Sequence, residues 1–177
     1  EFATGQIESS VLSVDAYHYN LTDFAVTDFG DTGAEGQLRT ILSNISDGDS
    51  ISFVLDASDA DGIITLTQGQ LELSSLNISI NGMMGETNVT IDAAEESRHF
   101  YVNPDASVNL SNLNLINGHA GAGNDGGSVY VAEDAAATIT NVVFDNAIDG
   151  SDSTDGVAVY NDGTLILENI SVSGYSS

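Results

Sequence analysis

The 177-residue chain contains no Cys, no Trp, no Lys and only one Pro, and these absences narrow what it can be. Without Cys, disulfides and thiol chemistry are excluded. The only strong bases are Arg39 and Arg98, against 27 acidic residues, which gives a formal net charge of -25. Binding nucleic acid requires Lys and Arg to neutralise phosphates, so the composition excludes nucleic acid as a partner. It argues equally against an anionic membrane.

Long hydrophobic runs are also absent. No apolar stretch approaches the roughly 20 residues of a membrane-spanning helix, so no membrane span is predicted. So large a negative charge makes a compact chain repel itself unless high salt or bound divalent cations screen it. Both kinds of screening point outside a cell, and we therefore predict an extracellular or cell-surface protein.

A repeated pattern of short apolar strands is the main positive feature of the sequence. Residues 100–115, 129–144 and 157–172 share one template. Each reads apolar-x-apolar, a turn with Asp at its sixth position, apolar-x-apolar, Asn at its thirteenth position, then apolar-x-apolar. Residues 71–78 form a partial copy with Ser75 at the Asn position, and the steps between copies are 37, 29 and 28 residues. Repeats of this length built from strands are typical of solenoids, so we predict a parallel β-helix with one coil per repeat.

The template also predicts which side chains stack in neighbouring coils. Apolar residues alternate along each strand, so one face should point into a core. The predicted interior columns are Phe100–Val129–Val157, Val102–Val131–Val159 and Val108–Ala137–Leu165. Asn112, Asn141 and Asn169 are predicted to form an amide ladder at a bend, since Asn tolerates left-handed backbone geometry. Asp105, Asp134 and Asp162 are predicted to mark a second bend as side-chain-capped turns.

The first part of the chain lies outside this repeat. Residues 1–35 form a strand-like leader, which we regard as a candidate assembly segment. Residues 36–46 place Leu38, Ile41, Leu42 and Ile45 at helical spacing, which predicts a short amphipathic helix. Residues 36–177 then form the β-helix domain, with the helix at its N-terminal end.

The segment Gly36-Gln-Leu-Arg-Thr-Ile-Leu42, followed by Gly48-Asp-Ser-Ile-Ser-Phe53, resembles the leader of CSLREA-type β-helix surface proteins. Gly126-Gly-Ser-Val-Tyr130 and Asn161-Asp-Gly-Thr-Leu165 resemble elements of polymorphic outer-membrane-type repeats. The chain departs from these families in lacking the leader Cys. The resemblance implies an all-β, right-handed parallel β-helix whose short N-terminal helix caps the first coil. It also implies a secreted or surface-displayed protein with an adhesive or structural role.

The predicted metal sites are the acidic loop at residues 56–62 and the acidic loop after Phe144, with Asn124 and Asp125 expected near the second loop from the corresponding loop one coil earlier. Ca²⁺ binds six to eight oxygen ligands from carboxylates, amides and carbonyls on a loop able to wrap it. The predicted ligands are Asp56, Asp59, Asp61, Asn124, Asp125, Asp145, Asp149, Asp152 and Asp155. Neither loop matches the EF-hand spacing, and Asp, Asn, Ser and Gly are also the ordinary content of solvated turns, so both interpretations stay open. His18, His99 and His119 are too scattered to suggest a zinc site.

Enzymatic activity is not predicted. Acids are so abundant that a glycosidase-like pair carries little information. Lyase chemistry on uronates generally needs a basic proton acceptor, and the chain offers only two arginines. A carbohydrate-binding or polysaccharide-degrading β-helix, with carbohydrate as its partner, remains the alternative.

The ends of the predicted solenoid suggest assembly. A solenoid needs both terminal coils covered, because an open coil exposes strand edges and core. The helix can cover the first coil, but the pattern shows no comparable element after the last strands. We therefore expect the protein to be a structural subunit that assembles head to tail, with the leader of one copy covering the open end of the next. The other interpretation is a leader that folds back on its own coils.

Overall fold

The computed structural model describes residues 22–54, 61–84, 86–122, 124–148 and 156–174. Within these ranges nearly all of the regular secondary structure is β. Its strands form three sheets that wind around one core as a parallel β-helix of about five turns. This confirms the predicted fold class, because successive strands of the chain pass from one sheet to the next and pair with the coils above and below.

A coil contributes at most one parallel strand to each sheet, and the three sheets contain six, five and four parallel strands. Sheet 1 contains β1 (Asp23–Val26), β2 (Ser50–Phe53), β5 (Ile78–Asn81), β9 (Ser107–Ser111), β12 (Ala136–Thr140) and β15 (Thr164–Glu168), in that order. Sheet 2 contains β3 (Ile63–Thr65), β7 (Thr87–Asp92), β10 (Leu113–Ile116), β13 (Val143–Asp145) and β16 (Ser171–Ser173), and β6 (Met83–Met84) pairs with β7 in the antiparallel direction. Sheet 3 contains β4 (Leu71–Leu73), β8 (Phe100–Val102), β11 (Val129–Val131) and β14 (Val159–Asn161).

The core consists of columns of stacked apolar side chains. In sheet 1 the column Ile51, Ile80, Leu110 and Ile139 has a side chain from each of four successive strands, and all four are buried. Alternate residues of each strand face outward, as the period of a strand requires. An apolar core residue in an inner coil therefore lies between the coils on either side, and its burial depends on both of them.

Two features of the predicted register are confirmed. Val108, Ala137 and Leu165 pair across β9, β12 and β15. The amides of Asn112, Asn141 and Asn169 form a ladder: Asn141 Nδ2 donates to Asn112 Oδ1 at 3.2 Å and Asn169 Nδ2 donates to Asn141 Oδ1 at 3.1 Å. All three have positive φ angles, between 52° and 56°. Asn therefore occupies this bend because it accepts left-handed geometry and links coils.

The predicted register of the last template copy, residues 157–172, is wrong by two residues in its first strand. Val159, not Val157, pairs with Val129, and Asn161 pairs with Val131. The turn from β14 to β15 has only Asp162 and Gly163, whereas the corresponding turn one coil earlier spans residues 132–135. Gly163 permits this shorter turn, because a Cβ there would collide with the carbonyl oxygens of Ala132 and Ala135.

The predicted register of the partial template copy, residues 71–78, is also wrong. Leu71 pairs with Phe100 rather than with Val108, so residues 71–78 run from sheet 3 into sheet 1. Ser75 consequently does not occupy the Asn position. The side chain of Asn81 takes that role, accepting a hydrogen bond from Asn112 Nδ2 at 2.8 Å.

The predicted helix is present but shorter than 36–46. Helix α1 spans Leu38–Leu42, with Leu38 and Ile41 buried against the first coil. It cannot begin at Gly36, which has a φ of +81°, or at Gln37, which is extended. The amphipathic spacing thus identified the packed face, while the backbone of these two residues sets the start.

The described part of the predicted leader belongs to the β-helix itself. Strand β1 pairs in parallel with β2, and Val26 is completely buried. Residues 23–26 are thus the outermost described strand of sheet 1, because Phe24 and Val26 continue its interior columns. The earlier residues of the predicted leader, 1–21, lie outside the described ranges.

Candidate functional site

The last described coil has an interior that is open on one side. Leu167 is 47% exposed, although its partner Ile139 in the preceding coil is fully buried. Val172 is 42% exposed, although its partner Phe144 is fully buried. These residues occupy core columns, and they are exposed because no further strand lies beyond them among the described residues. They form, with the outer edges of β14, β15 and β16, the surface that we call the tail face.

The opposite end of sheet 1 also has an outer strand, β1. Phe24 pairs with Ile51 and therefore begins the same interior column that Leu167 completes. Phe24 is half-buried and packs against the core. Sheet 1 thus carries a half-covered apolar side chain of one column at each of its two ends.

Helix α1 lies at this opposite end between two clefts, and together they form the head face. A cleft of about 590 Å³ lies beside β1, with Phe24 and Ile41 in its lining. A second, of about 430 Å³, lies between the helix and β4, with Leu42 and Leu71 in its lining. The head face is therefore partly apolar and grooved, whereas the tail face presents projecting apolar side chains.

An ion pair closes the first coil of the β-helix. The Arg39 guanidinium donates to both carboxylate oxygens of Asp31, at 2.6 and 3.0 Å, and to the carbonyl oxygen of Gln70 at 2.9 Å. Asp31 also accepts hydrogen bonds from the backbone N–H groups of Thr67 and Gln68, at 2.7 and 3.1 Å. Burial alone would raise the pKa of Asp31, but these hydrogen bonds and the Arg39 charge outweigh burial and lower it. The pair satisfies backbone groups that the first coil would otherwise leave open.

A stack of tyrosines runs along the outside of sheet 3. Tyr101 and Tyr130 stack with ring centroids 5.0 Å apart, and Tyr130 and Tyr160 with centroids 5.1 Å apart. The Arg98 guanidinium lies 5.3 Å from the centre of the Tyr130 ring and donates to the carbonyl oxygen of Asp125 at 2.8 Å. Burial and the hydrogen bond to Asp162 raise the pKa of Tyr130 to about 12. The stack links three coils on the outer surface, as the Asn ladder does at the bend.

His99 is fully buried in the core. Its Nε2 lies 3.0 Å from the carbonyl oxygen of Ile91 and 2.9 Å from that of Ile116, so Nε2 carries the proton and donates. Its Nδ1 has no hydrogen-bond partner. Burial lowers the pKa of His99 to about 4, despite the two carbonyls and Asp92, which act in the other direction. The imidazole is therefore neutral near pH 7 and serves as a structural donor.

Four of the predicted metal ligands lie among the described residues: Asp61, Asn124, Asp125 and Asp145. Asp61 and Asn124 are exposed. The Asp125 carbonyl oxygen contacts Arg98, and the Asp145 carboxylate accepts a hydrogen bond from the Ser173 hydroxyl at 2.8 Å. No group of three or more His, Asp or Glu side chains is placed to hold a metal ion in these ranges. The remaining predicted ligands lie outside the described residues: Asp56, Asp59, Asp149, Asp152 and Asp155.

The predicted Asp column holds for two of its three members. Asp105 and Asp134 occupy equivalent turns with φ angles of 65° and 63°. Asp162 lies in the shorter turn, and its carboxylate instead accepts a hydrogen bond from the Tyr130 hydroxyl at 2.9 Å. The two-residue deletion in this turn removes the position that Asp134 occupies.

Asn117 and Asn146 form a second amide column, which was not predicted from the sequence. Asn146 Nδ2 donates to Asn117 Oδ1 at 2.8 Å, and Asn117 Nδ2 donates to Asp92 Oδ1 at the same distance. Both Asn residues have positive φ angles. The signal was available, because each Asn stands two residues after an interior residue, Leu115 or Phe144. The tyrosine stack had a comparable signal, because β8, β11 and β14 each have Tyr as their central residue.

Comparison with protein-family models, curated proteins and solved structures finds no match for this chain. Among the described residues, no helix has the length and apolar character needed to cross a membrane. The two end faces and the contacts between coils are therefore the features that bear on function.

Proposed function

We propose that this protein is a non-enzymatic structural or adhesive β-helix of the cell exterior whose copies associate head to tail. The observation that carries the proposal is the exposure of Leu167 in a column whose preceding member, Ile139, is fully buried. Burying apolar surface contributes about 25 cal/mol per Å², so an open coil favours contact with another apolar surface. A head-to-tail contact does not close on itself and produces a filament or layer.

The two end faces support this arrangement. The tail face offers projecting apolar side chains and strand edges, and the head face offers grooves beside α1. The net charge of -25 opposes association, so the proposal includes screening by salt or by divalent cations such as Ca²⁺. Such screening fits an extracellular or surface location.

Both arginines have structural contacts, which favours a structural role over catalysis. Arg39 binds Asp31 and the turn before β4, and Arg98 binds the Asp125 carbonyl and lies against Tyr130. Neither is left as an unengaged base. The carbohydrate alternative gains little from the tyrosines, because Tyr101, Tyr130 and Tyr160 stack on one another and use the ring faces that sugars contact.

The test compares two substitutions on neighbouring residues of β15. Leu167→Asp places a charge in the open core column and should abolish association of the purified protein. Ile166→Asp is the matched control, since Ile166 is 50% exposed but faces outward beside Thr138. Light scattering at high ionic strength measures the mass, and circular dichroism verifies that both variants stay folded. A wild-type protein that is monomeric at every concentration and salt contradicts the proposal, as does equal association of the two variants.

A further inference from the structure

The tyrosine stack on the outside of sheet 3 carries chemistry that the proposed function does not use. Tyr101, Tyr130 and Tyr160 are register partners in the strands β8, β11 and β14. The Tyr101 and Tyr130 rings are nearly parallel, with an interplanar angle of 4°, and the Tyr130 and Tyr160 rings lie at 24° to each other. The Tyr130 hydroxyl donates to the carboxylate of Asp162 at 2.9 Å. Tyr130 thus has a phenol ring on each side and a proton acceptor at its oxygen.

Solvent and small reagents can reach this stack. All three tyrosines are half-buried, with their rings on the outside of the sheet, and Asp162 is exposed. Each ring comes from a different coil, so a bond between two of the rings would join two coils covalently. Disulfides cannot provide such a link, because the chain has no Cys.

We infer that the tyrosine stack is a site of covalent modification, at which a one-electron oxidant joins Tyr130 to Tyr101 or to Tyr160 as dityrosine. The inference goes beyond the proposed function and holds whether or not copies of the chain associate. A covalent link between coils restricts the unfolded chain, as a disulfide does. The modification would therefore strengthen the β-helix along its outer wall.

The reaction removes two electrons and two protons from a pair of tyrosines. Tyr130 gives one electron to the oxidant and its phenolic proton to Asp162, which passes the proton to solvent. A neighbouring tyrosine of the stack gives the second electron to the oxidant and its phenolic proton to water. The two neutral radicals combine through the ring carbons ortho to their oxygens, forming one carbon–carbon bond. The hydrogen on each of these carbons then moves through solvent to the phenolic oxygen, which restores both phenols.

The charges around Tyr130 favour loss of its proton together with the electron. The Arg98 guanidinium lies 5.3 Å from the centre of the ring and would repel a cationic ring. Transfer of the proton to Asp162 leaves a neutral radical, so this repulsion does not arise. The same transfer neutralises one carboxylate in a chain of formal charge -25. Asp162 is therefore expected to speed the oxidation of Tyr130.

The spacing of the stack determines which links can form within one chain. Tyr130 has a ring centroid 5.0 Å away on one side and 5.1 Å away on the other. Tyr101 and Tyr160 lie two coils apart, about 10 Å, which is too far for a direct carbon–carbon bond. Every link formed within the stack should therefore include Tyr130.

The test uses a chain in which the stack holds the only tyrosines, because Phe replaces Tyr17, Tyr19 and Tyr175. Dilute protein is exposed to photo-oxidised tris(bipyridine)ruthenium with persulfate, and dityrosine is measured by its fluorescence. The expected product is a single chain on a denaturing gel that is lighter by two hydrogen atoms in mass spectrometry. Peptide mapping should locate the link between Tyr130 and one of its two neighbours.

Substitutions within the stack give the matched comparison. Adding Tyr130→Phe should lower the yield of dityrosine many-fold, since it leaves Tyr101 and Tyr160 out of reach of each other. Tyr101→Phe is the control, because it also removes one tyrosine but leaves the Tyr130–Tyr160 pair. Circular dichroism verifies that both variants stay folded. Equal yields from the two variants, or dityrosine found only between separate chains, would overturn the assignment of the site.

Asp162→Asn tests the proton acceptor, because an amide does not accept the phenolic proton. This variant should form dityrosine several-fold more slowly than the parent chain. Asp105→Asn is the matched control in the turn after β8, where Asn tolerates the φ of 65°. Equal rates for the two Asn variants would show that Asp162 does not take the proton of Tyr130.

Discussion

Single side chains tie neighbouring coils together throughout this molecule. The two arginines are the clearest example, because the only strong bases of the chain bind turns of adjacent coils. Arg98 reaches from Gln70 to Asp125, and Arg39 from Asp31 to Gln70. In a chain of formal charge -25, each cation thus acts between coils, where it offsets repulsion and satisfies backbone carbonyls.

His99 gives a prediction at this scale. Its pKa is lowered from about 6.5 to about 4, so the folded state resists protonation that the unfolded chain accepts. The resulting loss of folding stability is absent above about pH 6.5 and grows as the pH falls towards 4. Between pH 7.5 and pH 4 it should reduce the free energy of unfolding by roughly 3 kcal/mol. Denaturant titrations at both pH values, on the natural chain and on His99→Gln, isolate the effect, since Gln can donate but not titrate.

The control for this measurement is His119→Gln, which removes a half-buried imidazole whose Nδ1 contacts the Glu95 carbonyl oxygen. The His119→Gln protein should keep the full difference between the two pH values, whereas His99→Gln should lose most of it. Identical pH dependence in all three proteins would show that His99 is not a buried neutral imidazole.

Among the structural elements, the amide ladders give the bends of the coils their conformation. Asn112, Asn141 and Asn169 each combine a positive φ angle with an amide hydrogen bond to the next coil. Left-handed geometry costs a residue with a Cβ about 1–2 kcal/mol. A short polar side chain that bonds locally reduces this cost, which explains why Asn recurs at the thirteenth template position.

Asn141→Ala should therefore destabilise the protein by about 2–3 kcal/mol, through backbone strain and the loss of two amide hydrogen bonds. Asn141→Gly loses the same hydrogen bonds but adopts the φ angle freely, so it should cost less than Asn141→Ala. Chemical denaturation of both variants measures the difference. If Gly proves as damaging as Ala, the strain argument fails and the hydrogen bonds alone account for the ladder.

The sequence predicted the strands better than the turns that connect them. Alternation and the recurring Asn defined the coil and the column Val108–Ala137–Leu165, because both depend on local side-chain chemistry. The two register errors arose where the turn length changes, at Asp162–Gly163 and between Leu73 and Ile78, which are separated by one residue fewer than their partners Val102 and Val108. A repeat template assumes constant turn length, and no pattern within the strands reveals a deletion in a turn. The Asp31–Arg39 pair was missed because it joins segments with no repeat.

For the whole molecule, charge and the two end faces are the dominant features. Adding salt should stabilise the fold, because it screens repulsion among 27 acids.

Removing divalent ions with EDTA at low ionic strength should lower the melting temperature by several degrees if the acidic loops bind calcium, since a ligand of the native state stabilises it. Sodium chloride at matched ionic strength is the control. An unchanged melting temperature with EDTA and with added calcium would identify the loops as solvated turns.

Electron microscopy of the concentrated natural chain, in high salt and with calcium, tests the central claim of head-to-tail association most directly. The account predicts unbranched filaments of copies joined end to end, because a head-to-tail contact does not close on itself. Only separate particles of single-chain size, at every salt and calcium concentration, would contradict it.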